Sequence, residues 1–153
     1  MAVAKEPQTM RTNELTDVAP PELRSDVRVH LPAGLFGFEG YKQYVLRSSP
    51  EESPFYWLEV EDDPSLAFLV VPPFLVNPDY APDLSEAETS ALDLKNPGEA
   101  ILLNIVTLRS QSQATVNLKG PVVINRRTLR GRQVVPTNAA DYSLQHPLPT
   151  AGN

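Results

Sequence analysis

The sequence predicts a mainly β protein, a small antiparallel β-barrel of short strands with one minor helix. The chain contains sixteen prolines and seven glycines. Proline is unfavourable inside a helix because it lacks an amide hydrogen. Short apolar runs lie between these prolines. One of them, VRVHL at 27–31, alternates apolar and polar residues as a half-buried strand does. Short strands joined by closely spaced turns are typical of an antiparallel barrel or sandwich.

The strands follow one another with short connections. They are predicted at 27–31, 44–47, 55–60, 66–71, 100–108, 114–118, 121–125 and 132–136. The segment AILLNIVTL at 100–108 fits a helix by periodicity alone, but its β-branched residues favour a buried strand. EDDP at 61–64 has the residues of a hairpin turn.

The helix is predicted at 85–92, where Ser85 and Glu88 form a capping-box pattern. Four prolines in the preceding segment 72–84 predict that it is extended or looped.

One domain is expected from a chain of 153 residues. We place this single β-barrel-like domain at 26–142. Residues 1–25 are polar and show no sustained period, so they are predicted to be a mobile N-terminal extension. Residues 143–153 are predicted to be a loose C-terminal tail.

The composition predicts a cytoplasmic protein that does not enter a membrane. There is no cysteine, which excludes disulfides and thiolate metal sites. The longest purely apolar run, at 66–71, is far shorter than the roughly 20 residues that span a bilayer. The N-terminus lacks the apolar core of a signal peptide.

The motifs of catalysis and cofactor binding are absent from the sequence. The two histidines, His30 and His146, have no partner at metal-ligand spacing. No G-x-S-x-G nucleophile elbow occurs, and the glycines at 34–40 do not form a phosphate-binding loop. We therefore expect a protein that is not an enzyme and that binds no metal or cofactor.

Charge is distributed unevenly along the chain. Residues 51–99 contain twelve acidic residues and one basic residue, a formal charge of −11, whereas 100–140 contain six basic residues and no acidic one. Either the two segments neutralise each other across the fold, or they form two faces of opposite sign that each offer a partner surface.

Nucleic-acid binding is the less favoured explanation of the basic stretch at 119–132. RNA-binding sheets combine cations with exposed aromatic rings, and residues 100–140 contain no Phe, Tyr or Trp. We expect no direct nucleic-acid binding, and an RNA-binding barrel that uses 119–132 stays an alternative.

Three asparagines, Asn104, Asn117 and Asn125, lie in or at the ends of otherwise apolar strands. Their side-chain amides are predicted to be structural, pairing with backbone groups inside the barrel or at strand ends.

Several segments in order resemble the FliW family of flagellar assembly factors. They are LPAGLFGFEGYKQYVL at 31–46, PFYWLEVEDDPSLAFLVVPPF at 54–74, NPDY at 77–80, ATVNLKGPVVIN at 114–125 and RQVV at 132–135. Within them Asn117, Leu118, Pro121 and Asn125 form an Asn-Leu-x-x-Pro-x-x-x-Asn pattern. The resemblance extends over about 29–142.

This resemblance implies a non-catalytic, β-barrel-like protein that exchanges partners. Members of the family bind CsrA, a translational repressor, and prevent it from holding flagellin mRNA. They also bind flagellin, with a chaperone-like aspect, and free flagellin releases CsrA. The alternative is a generic protein-interaction barrel unrelated to motility.

Two sets of residues are candidates for the partner surfaces. The apolar stretches LFGF (35–38) and PPFL (72–75) are expected to form a groove for an amphipathic flagellin helix. The alternative is that their phenylalanines are core residues. The acidic residues near the predicted hairpin are expected to attract CsrA by charge. Together the partner-binding candidates are Phe36, Phe38, Glu39, Glu59, Glu61, Asp62, Asp63 and Phe74.

Overall fold

The structure is a computed structural model that describes residues 26–48, 50–110 and 113–148. The extension expected at 1–25 lies outside the described residues, as do 149–153 at the other end. Within the described part of the chain, no helix is long and apolar enough to cross a membrane.

The described residues form a mainly β fold, which confirms the predicted class. The strands are β1 Val27–His30, β2 Gln43–Ser48, β3 Tyr56–Val60, β4 Asp63–Val71, β5 Ala100–Leu108, β6 Ala114–Val116, β7 Val122–Asn125, β8 Gly131–Gln133 and β9 His146–Leu148. The α-helix, α1, is Glu86–Ala91, and the remaining helical pieces are single 3₁₀ turns.

The start of α1 is set by Ser85, as its sequence predicts. The Ser85 hydroxyl accepts a hydrogen bond from the backbone N–H of Glu88 at 3.2 Å, which satisfies one of the free donors of the first turn. The Glu88 carboxylate pairs with Arg132 on β8 at 2.9 Å. The same residue thus ties the helix to the sheet.

The sheet is a single antiparallel curled half-barrel. Its strands pair in the order β1–β2–β3–β4–β5, and β5 pairs with both β6 and β7. The curl brings β1 back towards the β7–β8 hairpin, where the N–H of His30 donates to the Leu129 carbonyl at 3.0 Å. A parallel bridge between His30 and Arg130 marks this seam.

β6 and β7 lie one after the other along the same edge of β5. β6 pairs with Val106–Leu108 and β7 with Ala100–Leu103. The carbonyl oxygen of Ile105 accepts a hydrogen bond from the Asn117 N–H at 3.0 Å, and that of Glu99 accepts one from the Arg126 N–H at 2.7 Å. Both acceptors have odd residue numbers, so they point to the same edge. Between the two strands, residues 117–121 leave the ladder as a loop, which we call the NLKGP loop.

Two hydrophobic clusters lie on the two faces of this sheet. The interior cluster contains Val29, Leu31, Leu35, Tyr44, Leu46, Leu58, Val60, Val70, Ile101, Leu103, Val122 and Ile124. The outer cluster contains Val71, Tyr80, Leu84, Leu92, Leu94, Ala100, Leu102, Val106, Ala114, Val116, Leu118, Val123 and Val134. Alternate residues of β5 enter each cluster, so β5 is buried on both faces. This explains why AILLNIVTL is apolar almost throughout.

The C-terminal segment differs from the expected loose tail over 143–153. His146–Leu148 forms β9, which pairs with β6, and Leu148 packs against the outer cluster. Pro147 argues against a strand by sequence, but an edge strand tolerates proline because one side of it needs no ladder bond. The ordered sheet therefore extends beyond the predicted limit at 142.

The predicted turn EDDP at 61–64 is shorter in the structure. Val60 pairs with Asp63, so only Glu61 and Asp62 form the turn and β4 begins at Asp63. The register then shifts between Val60 and Glu59, whose partner is Ala67. Such a bulge accommodates Pro64 because the extra residues are not paired.

Candidate functional site

One end of the barrel is covered by the loop that joins β1 to β2, residues 31–42. We call it the aromatic loop. Its backbone is held by consecutive short bonds: Gly34 to Leu31 at 2.9 Å, Phe38 to Leu35 at 2.8 Å and Tyr41 to Phe38 at 3.1 Å. These bonds give the loop a defined conformation although it connects two strands at the surface.

Gly34 is required by this conformation. Its φ of +69° lies in the left-handed region, and a Cβ there would come 2.7 Å from the Glu39 Cα. Glycine alone avoids both the strain and the clash. The glycine pattern noticed in the sequence therefore serves a tight loop.

The loop exposes three aromatic side chains. Phe36 is 51%, Phe38 37% and Tyr41 40% exposed, while Leu35 is buried in the interior cluster. The Phe38 ring meets Phe68 edge to face, with centroids 5.0 Å apart. Neighbouring exposed aromatic rings that rest on a fixed base are typical of protein-binding surfaces.

Glu39 adds a negative charge to the same loop. Its carboxylate accepts a hydrogen bond from the Gly37 N–H at 3.0 Å. That backbone bond is the main reason why the pKa of Glu39 lies below its usual value. Glu39 therefore stays ionised at neutral pH beside the two exposed phenylalanines.

The turn residues Glu61 and Asp62, together with Asp63 at the start of β4, lie beside the end of the aromatic loop, and we call these three residues the acidic turn. The backbone N–H of Glu61 donates to the Gln43 carbonyl at 2.9 Å, and Gln43 follows the loop directly. Glu61 pairs with Arg28 at 3.5 Å. Asp62 is exposed, and the Asp63 carboxylate accepts a bond from the Ser65 hydroxyl at 2.6 Å. The two aspartates are thus the least neutralised acids of the turn.

Glu59 shortly precedes this turn in the chain. It is on β3, where Leu58 and Val60 enter the interior cluster and Glu59 points to the opposite face. There it pairs with Arg47 at 2.7 Å, and Arg47 also pairs with Asp26. Strand residues two apart face the same side, and Arg28, the partner of Glu61, also points away from the interior cluster. Glu59 therefore stays a candidate of one acidic cluster with 61–63.

Phe74 is also separated from the aromatic loop. It lies in the 3₁₀ turn Pro73–Leu75 and packs against the outer cluster. Leu35 and Phe68 belong to the interior cluster on the other face of the sheet. LFGF therefore packs on the interior cluster and PPFL on the outer cluster.

The three asparagines pair with backbone groups. Asn104 donates to the Asn117 carbonyl at 2.8 Å, and the Asn117 side chain accepts from the Lys119 N–H at 2.9 Å. Asn125 donates to the Leu92 carbonyl at 2.8 Å and accepts from the Arg127 N–H at 2.8 Å. Asn104 and Asn117 thus connect β5 to the NLKGP loop, and Asn125 connects β7 to the segment after α1.

The basic stretch at 119–132 is partly neutralised by acids of 51–99. Arg127 pairs with Asp93 at 3.1 Å and Glu99 at 3.3 Å, and Arg132 pairs with Glu88. Lys119 donates to the Ala139 carbonyl at 3.1 Å. These contacts favour mutual neutralisation over a free basic face.

Two residues near the site were not identified from sequence. Tyr41 extends the exposed aromatic group, and its closeness in sequence to Phe36 and Phe38 was a usable signal. Gln133 is 5% exposed, and its side chain contacts the aromatic loop and the NLKGP loop. A lone glutamine in a short strand carries no pattern that predicts this. Among the described residues, no group of three or more His, Cys, Asp or Glu side chains could hold a metal ion.

Comparison with known proteins agrees on one family. The model of the FliW protein family matches residues 10–148. The flagellar assembly factor FliW of Natranaerobius thermophilus is 36% identical over 129 residues, which cover 83% of this chain and 85% of that protein. FliW of Leptospira interrogans is 39% identical over 109 residues, covering 70% and 73% of the two chains.

A solved structure gives the same result for the fold. The crystal structure of the flagellar assembly factor FliW superposes with a TM-score of 0.73 at 31% identity, covering 82% of this chain and 88% of that one. With a family model matched over most of its length, this chain belongs to the FliW family of flagellar assembly factors.

Proposed function

We propose that this protein is a cytoplasmic, non-catalytic antagonist of CsrA that also binds flagellin and exchanges one for the other. The observation that carries the proposal is the position of the acidic turn beside the aromatic loop, fixed by the bond from Glu61 to Gln43 at 2.9 Å. Two chemically different surfaces thus adjoin at one end of the barrel.

Flagellin is assigned to the aromatic loop. Phe36 and Phe38 are both exposed on a loop with a defined backbone, and an apolar helix face binds such anchors with little loss of side-chain freedom. PPFL lies against the opposite face of the sheet, so we leave it out of this surface.

CsrA is assigned to the acidic turn. An RNA-binding repressor carries cationic surface, and Asp62 and Asp63 present carboxylates that no arginine pairs with in the described contacts. Exposed charges of this kind chiefly increase the rate of encounter. Because the acidic turn adjoins the aromatic loop, one bound partner would obstruct the other.

Direct competition tests this proposal. The purified chain is mixed with CsrA and flagellin from the same organism, and each complex is titrated with the other partner in a solution binding assay. We expect each partner to bind alone and flagellin to displace CsrA. A stable ternary complex would contradict a shared end, and failure to bind either partner would reject the function. In that case the generic interaction barrel becomes the better description.

A further inference from the structure

Gln133 is a buried polar residue that the proposed function does not use. It ends β8 and is 5% exposed. Its Oε1 accepts a hydrogen bond from the backbone N–H of Phe36 at 2.8 Å. Its Nε2 donates to the carbonyl oxygen of Gly120 at 2.9 Å. One side-chain amide therefore connects two loops that are distant in sequence.

The two partners fix the orientation of this amide. An N–H at Phe36 requires an acceptor, and a carbonyl at Gly120 requires a donor. Rotating the amide by half a turn would oppose donor to donor and acceptor to acceptor. The arrangement is thus specific for a glutamine side chain.

Gly120 makes room for the amide. A Cβ at this position would lie 3.0 Å from Gln133 Nε2 and 3.1 Å from Asn117 Nδ2. Both distances are shorter than ordinary contact, so a Cβ at position 120 would require one amide or both to shift by a few tenths of an ångström. This glycine is a second observation that the pocket around Gln133 is built to hold its side chain.

Hydrogen bonds hold the NLKGP loop against the outer cluster. The Leu118 carbonyl accepts a bond from the buried Tyr80 hydroxyl at 2.7 Å, and Asn104 holds the Asn117 carbonyl at 2.8 Å. Lys119 reaches the Ala139 carbonyl at 3.1 Å. Through Gln133, the Phe36 backbone is therefore tied to a rigid part of the molecule.

We propose that Gln133 is a positioning residue of the partner surface, which fixes the backbone of Phe36 and thereby presents the exposed aromatic rings in a binding conformation. The inference rests on the proposed function, in particular on flagellin binding at the aromatic loop. Gln133 itself need not contact flagellin. Loss of its bonds would allow the loop to sample other conformations, and each unproductive conformation lowers the apparent affinity.

The test uses Gln133→Met, which keeps the side-chain length and removes both hydrogen bonds. Gly120→Ala crowds the Gln133 amide without changing Gln133 itself, and it is the second test variant if Gln133→Met does not fold. Gln145→Met is the matched control, because Gln145 is exposed. Hydrogen exchange of the Phe36 amide and the Kd for flagellin are measured on the full chain for each variant.

We expect Phe36 exchange to accelerate about tenfold or more in Gln133→Met and to a smaller extent in Gly120→Ala, while core amides of β5 stay protected. The Kd for flagellin should rise at least about fivefold, with no change for Gln145→Met. Faster exchange with unaltered flagellin affinity would overturn the positioning role and leave the proposed function intact. Unchanged exchange at Phe36 would overturn it as well. If the unaltered chain does not bind flagellin, the proposed function fails first and this role fails with it.

Discussion

The hydroxyl of Tyr80 donates a hydrogen bond to the carbonyl oxygen of Leu118 at 2.7 Å, inside the outer cluster. The bond joins the segment before α1 to the NLKGP loop. Burial raises the pKa of Tyr80 well above its usual value, so the hydroxyl keeps its proton at any physiological pH. In contrast, the hydroxyl of Tyr44 is buried in the interior cluster without a described partner.

This difference predicts opposite effects for one substitution at two buried tyrosines. Tyr80→Phe leaves the Leu118 carbonyl unpaired and should lower the free energy of unfolding by about 1–2 kcal/mol. Tyr44→Phe removes a hydroxyl that lacks a partner, so stability should stay equal or rise by up to about 1 kcal/mol. Urea unfolding measures both. A larger loss for Tyr44→Phe than for Tyr80→Phe would show that the interior hydroxyl has a partner such as buried water.

Acid should weaken the ion pairs that Arg127 makes. The pKa of Asp93 is lowered by Lys95 and Arg127, and that of Glu99 by the Lys95 backbone N–H and then Arg127. Carboxyls with lowered folded-state pKa stabilise the fold above their unfolded pKa, and this contribution is lost as the pH falls through the folded value.

Arg127→Met should therefore be less stable than the unaltered chain at pH 7. The difference should shrink as the pH falls below the ordinary carboxyl range near 4. Thermal unfolding from pH 7 to pH 3 measures it, with Arg130→Met as the control because Arg130 is an exposed arginine of the same stretch. A difference that does not vary with pH would mean that packing, and not charge, explains the loss.

The strands could be predicted from sequence because each depends on a local pattern. VRVHL alternates, and AILLNIVTL is apolar almost throughout because both faces of β5 are buried. β9 could not be predicted, since Pro147 obscures a strand whose existence depends on β6 beside it. Likewise, pairing between strands far apart in sequence determines that β6 and β7 share one edge of β5.

The candidate site was also predicted only where its residues are close in sequence. Phe36, Phe38 and Glu39 are neighbours in sequence and stay together in the aromatic loop. Glu59 and Glu61 are also close in sequence, and each of them pairs with an arginine of a neighbouring strand, Arg47 and Arg28. Gln133 joins the site only through contacts 97 and 13 residues away, which no local pattern indicates.

Exposed and packed phenylalanines should respond differently to truncation. Phe36 is 51% exposed, so Phe36→Ala should change the free energy of unfolding by less than about 1 kcal/mol. Phe74 packs against the outer cluster, and Phe74→Ala should cost about 1–3 kcal/mol. Chemical unfolding of the two variants gives these values.

Binding should show the reverse order. Phe36→Ala should weaken flagellin binding about tenfold or more, as loss of an aromatic anchor does, whereas Phe74→Ala should bind normally once folded. Leu144→Ala is the control, because Leu144 is 59% exposed. If Phe74→Ala binds flagellin poorly while Phe36→Ala binds as the unaltered chain does, the flagellin surface is on the outer-cluster face.

Charge reversal in the acidic turn should act on the rate of CsrA association. Asp62 and Asp63 are the acids of the turn that no arginine pairs with in the described contacts, while Glu61 already pairs with Arg28. Asp62→Lys with Asp63→Lys should slow association more than it speeds dissociation, because exposed charges act mainly on encounter. Glu61→Lys should have a smaller effect on attraction and should also lose its bond to Arg28.

Stopped-flow or surface-resonance kinetics at low and high salt decide this prediction. Salt at about 0.15 M screens charges beyond roughly 8 Å, so the rate difference between the double variant and the unaltered chain should be largest at low salt and shrink as salt is added. Asp79→Lys with Glu86→Lys makes the same change in net charge at two exposed positions away from the turn. An equal loss of rate in that control would mean that net charge, and not the acidic turn, attracts CsrA. An unchanged rate in the double variant at low salt would place CsrA on another face, with the stretch at 119–132 the next surface to alter.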